Sequence, residues 1–288
     1  MFKEKKDDYM LDVILDTFID ALKLVPFLFI TFLLMELIEH KYSDKLSKKL
    51  LRVNKVGPLI GSLLGVIPQC GISASITNLY ITRVISIGTL IAVYLSTSDE
   101  MLPILISENA SLSVIIKILL VKFIVGVLFG FIIDFLFNKK KKEDIKDFCE
   151  LEDCDCDDGI LKSSLIHTLK TFIYIIIITF LLNVVITYVG ESYLEKILVK
   201  NSPFGIILTT LIGFIPNCST SILLTELYVK NMLSVGKLLS GLLVNSGVGL
   251  LILFRYNKDK KDNFKIMLIL FIIGLLVGLI FDLLNITF

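Results

Sequence analysis

Apolar residues run along this chain in stretches of about 15–20, divided by short polar or charged segments. The clearest are LVPFLFITFLLMELI, VKFIVGVLFGFIIDFLF, TFIYIIIITFLLNVVI and KIMLILFIIGLLVGLIFDLL. Each is long enough, as a helix, to cross most or all of a hydrocarbon core of about 30 Å. The pattern predicts an all-α, polytopic membrane protein. Two stretches interrupt it with chemistry foreign to lipid: GVIPQCGISASITNLY at 65–80 and GFIPNCSTSILLTELY at 213–228. Each sets a proline, an amide, a cysteine and a row of hydroxyls where a membrane helix should be seamless. The expected structure is a pair of short helices, 56–67 and 70–82, forming a re-entrant hairpin with its tip at Pro68, Gln69 and Cys70. Residues 206–230 repeat it, and further breaks are expected at STSDE (96–100) and NSGVG (245–249).

The repetition is quantitative. Shifted by 148 residues, the chain lies on itself without a gap: 12 of 28 positions are identical between 63–90 and 211–238, and 11 of 20 between 117–136 and 265–284. The matches include Pro68/Pro216, Cys70/Cys218, Ser73/Ser221, Thr77/Thr225, Tyr80/Tyr228 and Asp134/Asp282. Chance periodicity of leucine and isoleucine would not align prolines, cysteines and aspartates together. Three regions follow: a first transmembrane repeat over 1–138, a linker over 139–159, and a second repeat over 160–288.

Charge gives these repeats a direction. Residues 41–55 carry six Lys/Arg against two in their counterpart, 189–203, whereas 255–265 carry five against one in 107–117. Basic loops stay on the cytoplasmic side, so equivalent loops lie on opposite faces of the membrane. The reading is an inverted repeat with an odd number of crossings per half, both termini outside and the linker inside. Such repeats with discontinuous helices are the architecture of secondary transporters, which hold substrate near the midplane where the halves meet.

Composition agrees: 55% of residues are hydrophobic and the mean hydropathy is +0.83, above the roughly 45–50% apolar usage of soluble domains. The charged amino end, MFKEKKDDYMLD, carries no cleavage-site pattern. The net charge of +1 says nothing about partners; the expected ones are a metal or metalloid ion, a coupling ion and the lipid bilayer, with no nucleic acid. Of five cysteines, two sit in the paired motifs and three in the linker, which is not a disulfide framework.

The candidate substrate ligands are Gln69, Cys70, Ser73 and Thr77 with their repeats Asn217, Cys218, Ser221 and Thr225. Thiolates suit thiophilic ions, whereas amide and hydroxyl oxygens suit hard ones such as manganese; the motif offers both. Acids at membrane depth usually face a pathway, which makes Glu226, Asp99 and Glu100 candidates for coupling. Each is asymmetric, since Glu226 matches Asn78 while Asp99 and Glu100 match Gly247 and Val248. Asp134 and Asp282 read as anchors near the ends of their spans. GVLFG (126–130) and GLLVG (274–278) are Gly-x-x-x-Gly steps for close helix packing. His40 and His167 stand by hydrophilic ends and are expected to be solvated. In the linker KKKKEDIKDFCELEDCDCDDG, Cys149, Cys154 and Cys156 among acids could capture a soft metal ion or trivalent arsenic. The same composition suits a disordered charged connector.

With these residues in view, the chain resembles the ten-helix heavy-metal exporters, bacterial permeases labelled arsenic efflux proteins or manganese transporters. GVIPQCGISASITNLY, GFIPNCSTSILLTELY, STSDEMLP and the Cys-bearing linker followed by GILKSSLIHTLK carry the likeness. The resemblance implies two sets of five membrane segments and export of a toxic metal or metalloid. The family's linkers tend to be rich in histidine as well as cysteine; here aspartate stands instead.

The expected function is a multi-pass secondary transporter of the cytoplasmic membrane that exports a heavy-metal or metalloid ion, arsenite-type or manganese, by alternating access. The alternative is a transporter or channel for another small solute, with structural cysteines. No G-x-x-x-x-G-K-[ST] loop is present. The drive is then a proton or sodium gradient unless a separate ATPase subunit takes part, and no cofactor is expected. An intramembrane metalloprotease would need H-E-x-x-H, and the two histidines are far apart; no enzyme is expected. The sequence leaves open whether the protein acts as a monomer or a homodimer.

Overall fold

The computed structural model describes residues 56–98, 101–137, 160–189 and 204–288, with scattered helical positions between 18 and 33. These residues form helices and no strand. The first set is α1 (Gly57–Gly65), α2 (Cys70–Ile81), α3 (Ile87–Ser96), α4 (Met101–Ser107) and α5 (Leu112–Phe137). After α6 (Ile160–Val189) come α7 (Phe204–Gly213), α8 (Cys218–Val229), α9 (Val235–Val244), α10 (Gly249–Tyr256) and α11 (Lys260–Leu283). The starts of α2 to α5 recur 148 residues on as those of α8 to α11, at Cys218, Val235, Gly249 and Lys260. Helix is broken where the sequence indicated, after Gly65 and Gly213 and again after Ser96 and Val244.

Four stretches among the described residues are long and apolar enough to cross a membrane: Ile87–Ser107, Leu112–Phe137, Val235–Tyr256 and Lys260–Leu283. They divide by burial. The interrupted stretches are 75% and 94% buried and form the inside, while the continuous α5 and α11 are 28% and 33% buried. Ile116, Leu120, Ile124 and Leu128 of α5 make an exposed stripe four residues apart, as do Leu268, Ile272, Leu276 and Ile280 of α11. These are the faces an apolar solvent would wet.

Both sets bundle alike. α1 and α3 lie against α5, and α7 and α9 against α11. Glycine makes the approach close enough. A Cβ at Gly126 would stand 2.6 Å from Ser62 Oγ and 2.8 Å from the Ala92 carbonyl, and one at Gly274 would stand 2.9 Å from the Ser240 carbonyl. The Gly-x-x-x-Gly steps therefore serve packing.

The buried helices α3 and α9 begin on a carboxylate borrowed from their long neighbour. Ser86 caps α3, accepting from Thr89 N at 3.2 Å, and its hydroxyl donates to Asp134 Oδ2 at 2.7 Å while Gly88 N donates to Oδ1 at 2.9 Å. In the second set Ser234 caps α9, accepting from Lys237 N at 3.3 Å, and donates to Asp282 at 2.7 Å. An anion at a helix N-terminus satisfies orphan N–H groups and the dipole together. Asp134 and Asp282 thus anchor helices.

Between the sets the packing is reciprocal: α2 rests on α10, α8 rests on α4, and α3 meets α9. Within each short pair contact is slight, so α2 finds its main partner in the other set. Tyr94 of α3, fully buried, shares a 2.6 Å hydrogen bond with Thr77 and reaches Gly249, where a Cβ would stand 2.8 Å from its ring. Tyr80 at the end of α2 donates to Asp262 in the first turn of α11 at 2.6 Å. α6 docks on α10, where Arg255 donates to the Lys170 carbonyl at 2.9 Å and lies 4.5 Å over the Tyr174 ring. His167 of α6 is buried beside Phe32, ring centroids 5.7 Å apart, rather than solvated as its place near a hydrophilic segment indicated. His40 lies outside the described residues.

Two outcomes follow from this packing. Asp134→Ala and Asp282→Ala should each destabilise the protein by about 1–2 kcal/mol, read as a lower thermal midpoint in detergent, with Asn recovering part of the loss. Tyr94→Leu, which copies the Leu242 of the other set, should cost about 2 kcal/mol by leaving a void beside Gly249. Tyr94→Phe should cost about 1 kcal/mol or less.

Candidate functional site

The tips at 66–69 and 214–217 end one short helix and begin the next. Gln69 has extended backbone at the start of α2 and its side chain does not cap the helix, which leaves the amide available elsewhere. Gln69 is half-buried and Pro68 exposed, while Cys70 and Asn217 are buried. Behind the tips the hydroxyls turn back on their own helices. Ser73 donates to the Cys70 carbonyl at 2.8 Å, Thr77 to the Ser73 carbonyl at 2.6 Å, and Thr225 to the Ser221 carbonyl at 2.7 Å. A hydroxyl that spends its proton this way keeps acceptor lone pairs for something else. Cys218 opens α8; its side chain lies outside what the structure describes.

The second breaks come together across the sets. Thr97, Ser98 and Met101 from the α3–α4 break, Leu242 and Asn245 from the α9–α10 break, Ser221 of α8 and Lys122 of α5 line a small cavity of about 10 Å³, the room of roughly one water. Thr97 Oγ1 donates to the Val93 carbonyl at 2.8 Å and Ser98 Oγ to the Ser96 carbonyl at 3.0 Å, so these hydroxyls also present lone pairs. Asn245 Oδ1 accepts from Gly247 N at 3.0 Å and shapes the second break.

Lys122 is the group that no motif indicated. It is the eleventh of the 26 residues of α5 and is 1% exposed. A lysine at the bilayer centre costs about 3 kcal/mol on insertion scales, so its surroundings must offset that. Its ammonium donates to the carbonyl of Thr97, just past α3, and to that of Leu242, in the last turn of α9, at 3.1 Å for the latter. Carbonyls at helix C-termini lack intrahelical donors and carry the negative end of the dipole. One cation therefore satisfies the ends of two interrupted helices, one from each set. The signal was available in the repeat: position 122 matches Leu270, an asymmetry of the same kind as Glu226 against Asn78.

Of the residues singled out from sequence, Ser221 lines this cavity, and the two second breaks supply Thr97, Ser98 and Asn245. Gln69, Cys70, Ser73, Thr77, Asn217 and Thr225 do not line it. Glu226 is 39% exposed by side chain and pairs with Lys230 at 3.1 Å, one turn along α8. Its counterpart Asn78 is wholly buried, and neither atom of its amide has a hydrogen-bond partner; the same holds for the Ser246 hydroxyl. Asp99, Glu100, Cys149, Cys154 and Cys156 lie outside the described residues. Among the described residues no three His, Cys, Asp or Glu side chains gather as a metal cluster would require.

Comparison with known proteins adds the family. The family described as "Putative, 10TM heavy-metal exporter" matches residues 5–190, well over half of the 288. Neither the curated proteins nor the solved structures give a match. The matched stretch holds the first Pro-Gln-Cys motif, the first interrupted span and Lys122, and the apolar helices around them have the length and exposure of membrane segments. This chain is a multi-pass membrane protein and belongs to the 10TM heavy-metal exporter family.

Proposed function

We propose that this protein is a secondary exporter of the cytoplasmic membrane, in which two inverted halves alternate access to a site at the junction of the interrupted helices. The observation that supports this most is the cavity itself, where breaks from both halves and Ser221 of the second motif meet around Lys122. In a bilayer, interrupted helix survives only where protein or a watery cavity receives its backbone groups. Transporters of this architecture bind substrate at such a place.

The lining favours one class of cargo. Its described members offer hydroxyl oxygens, one amide and one ammonium, with no thiol and no carboxylate. A neutral, hydroxyl-rich metalloid such as arsenous acid can accept from the ammonium and donate to the hydroxyl lone pairs. A bare divalent cation would meet like charge. In this reading Gln69, Cys70, Asn217 and Cys218 stand along the route at the two tips, and Ser73, Thr77 and Thr225 support them from within their helices. We give Glu226 no part at the cavity, because it does not line it and its half-buried side chain is paired with Lys230.

A second reading is favoured by one observation: Cys70 is buried yet does not line the cavity. On that reading the motif cysteines are packing groups and the cargo need not be thiophilic.

Uptake into everted membrane vesicles tests both. Arsenite should accumulate and manganese should not. Ser221→Val combined with Asn245→Leu should lower the initial rate roughly tenfold or more, since two hydrogen-bonding groups of about 1 kcal/mol each are lost. Manganese uptake, or arsenite uptake indifferent to the double variant at equal protein level, would place the site elsewhere. A Cys70→Ser/Cys218→Ser variant that transports normally selects the reading with structural cysteines; one that loses arsenite alone selects thiol ligation on the route.

A further inference from the structure

The geometry at Lys122 points to a cation site that the protein fills for itself. Two helix C-termini from different halves, at Thr97 and Leu242, aim carbonyl oxygens at one point near the middle of α5. Where half-helix ends and unwound carbonyls converge in transporters of this architecture, they coordinate a small monovalent cation. Here the point is held by the ammonium of Lys122, buried to 1% on a stem from the neighbouring helix. The arrangement is not an accident of the repeat, because the matching position of α11 is Leu270 and the position matching Leu242 is Tyr94, whose ring is packed against Gly249. One of two symmetry-related junctions is filled by an aromatic ring; the other is left as a cavity with a charge in it.

We infer that the junction of the two interrupted helices is a monovalent-cation site whose resident ion is the Lys122 ammonium. The protein thus carries a tethered counter-ion and needs no sodium there. This deepens the proposed transport reading by removing sodium from that position, but the site itself stands on the carbonyl geometry alone. Among the described residues, those lining the cavity with the ammonium are Thr97, Ser98 and Met101 from the α3–α4 break, Ser221 from α8, and Leu242 and Asn245 from α9 and its end. None of these can titrate. Asp99 and Glu100 follow Ser98 in the chain, outside the described residues.

Removing the ammonium should turn a filled site into an empty one that a free cation can enter. The test uses the full chain purified in detergent and follows thermal unfolding against ammonium or sodium chloride, with choline chloride at equal ionic strength as the control. The wild type should respond alike to all three salts. Lys122→Ala should start from a lower midpoint and recover several degrees, saturably, with ammonium or sodium but not with choline. Lys122→Met, which keeps the apolar stem without the charge, gives the same reading if the alanine variant does not fold.

A folded neutral variant that treats ammonium, sodium and choline alike would overturn the inference. So would a wild type that sodium stabilises saturably. Because the readout is stability, failure of transport in vesicles leaves this result intact, and a negative result here leaves the cargo assignment to its own test.

Discussion

The structure depends on one constraint: backbone groups freed by a broken helix must be satisfied where no water can do it. This chain breaks helix after Gly65, Ser96, Gly213 and Val244, in segments otherwise fit for lipid. Each break frees carbonyls at one end and N–H groups at the other. The answers are local and few. Lys122 reaches from α5 to carbonyls freed at two of these breaks, just past α3 and in the last turn of α9, while Asp134 and Asp282 hold the opposite ends of the same two helices at Ser86 and Ser234. Charge of the right sign stands at each of these ends. The continuous helices therefore do more than face lipid, since they carry side chains that hold the ends of the buried helices.

On this frame the differences between the repeats decide the chemistry. The aspartates at 134 and 282 are identical and do the same task in both sets, as do the glycines at 126 and 274. Where the repeats diverge, the structure diverges with them. Tyr94 fills a space that Leu242 leaves open, and Lys122 puts a charge where Leu270 puts a methyl group. Asn78 is buried with its amide unpartnered, and Glu226 in the matching place is half-buried and paired with Lys230. Among the described residues the duplicated scaffold thus carries a buried charge at one of its two matching junctions and an apolar side chain at the other.

Reciprocal packing also bears on how such a molecule could move. α2 belongs to the first set by sequence but leans on α10 of the second, and α8 leans on α4 of the first. Rocking of one set against the other must shift both contacts together, and both adjoin the breaks that line the cavity. Tyr80 to Asp262 and the Arg255 contacts to α6 lie nearer the helix ends, where they can tie elements without filling the site.

Much of this is legible in the chain itself. Apolar length predicts the spans, because a helix rises 1.5 Å per residue and lipid has a fixed thickness. Proline and glycine at fixed offsets predict the breaks, and a gapless shift of 148 predicts that the helices recur. The hydroxyl row marks Ser221, which lies in the cavity; the polar breaks at 96–100 and 245–249 are legible too, but the pattern points to the acids there and not to Thr97, Ser98 and Asn245. What the tertiary structure alone decided is which ends meet. Lys122 is 25 residues from Thr97 and 120 from Leu242, and no local pattern encodes a contact between three helices. His167 shows the same limit, since a neighbouring helix, not its own flanks, buries it. Periodicity determines how a segment folds on itself; which polar group can afford to be inside is settled by the partner that packing brings to it.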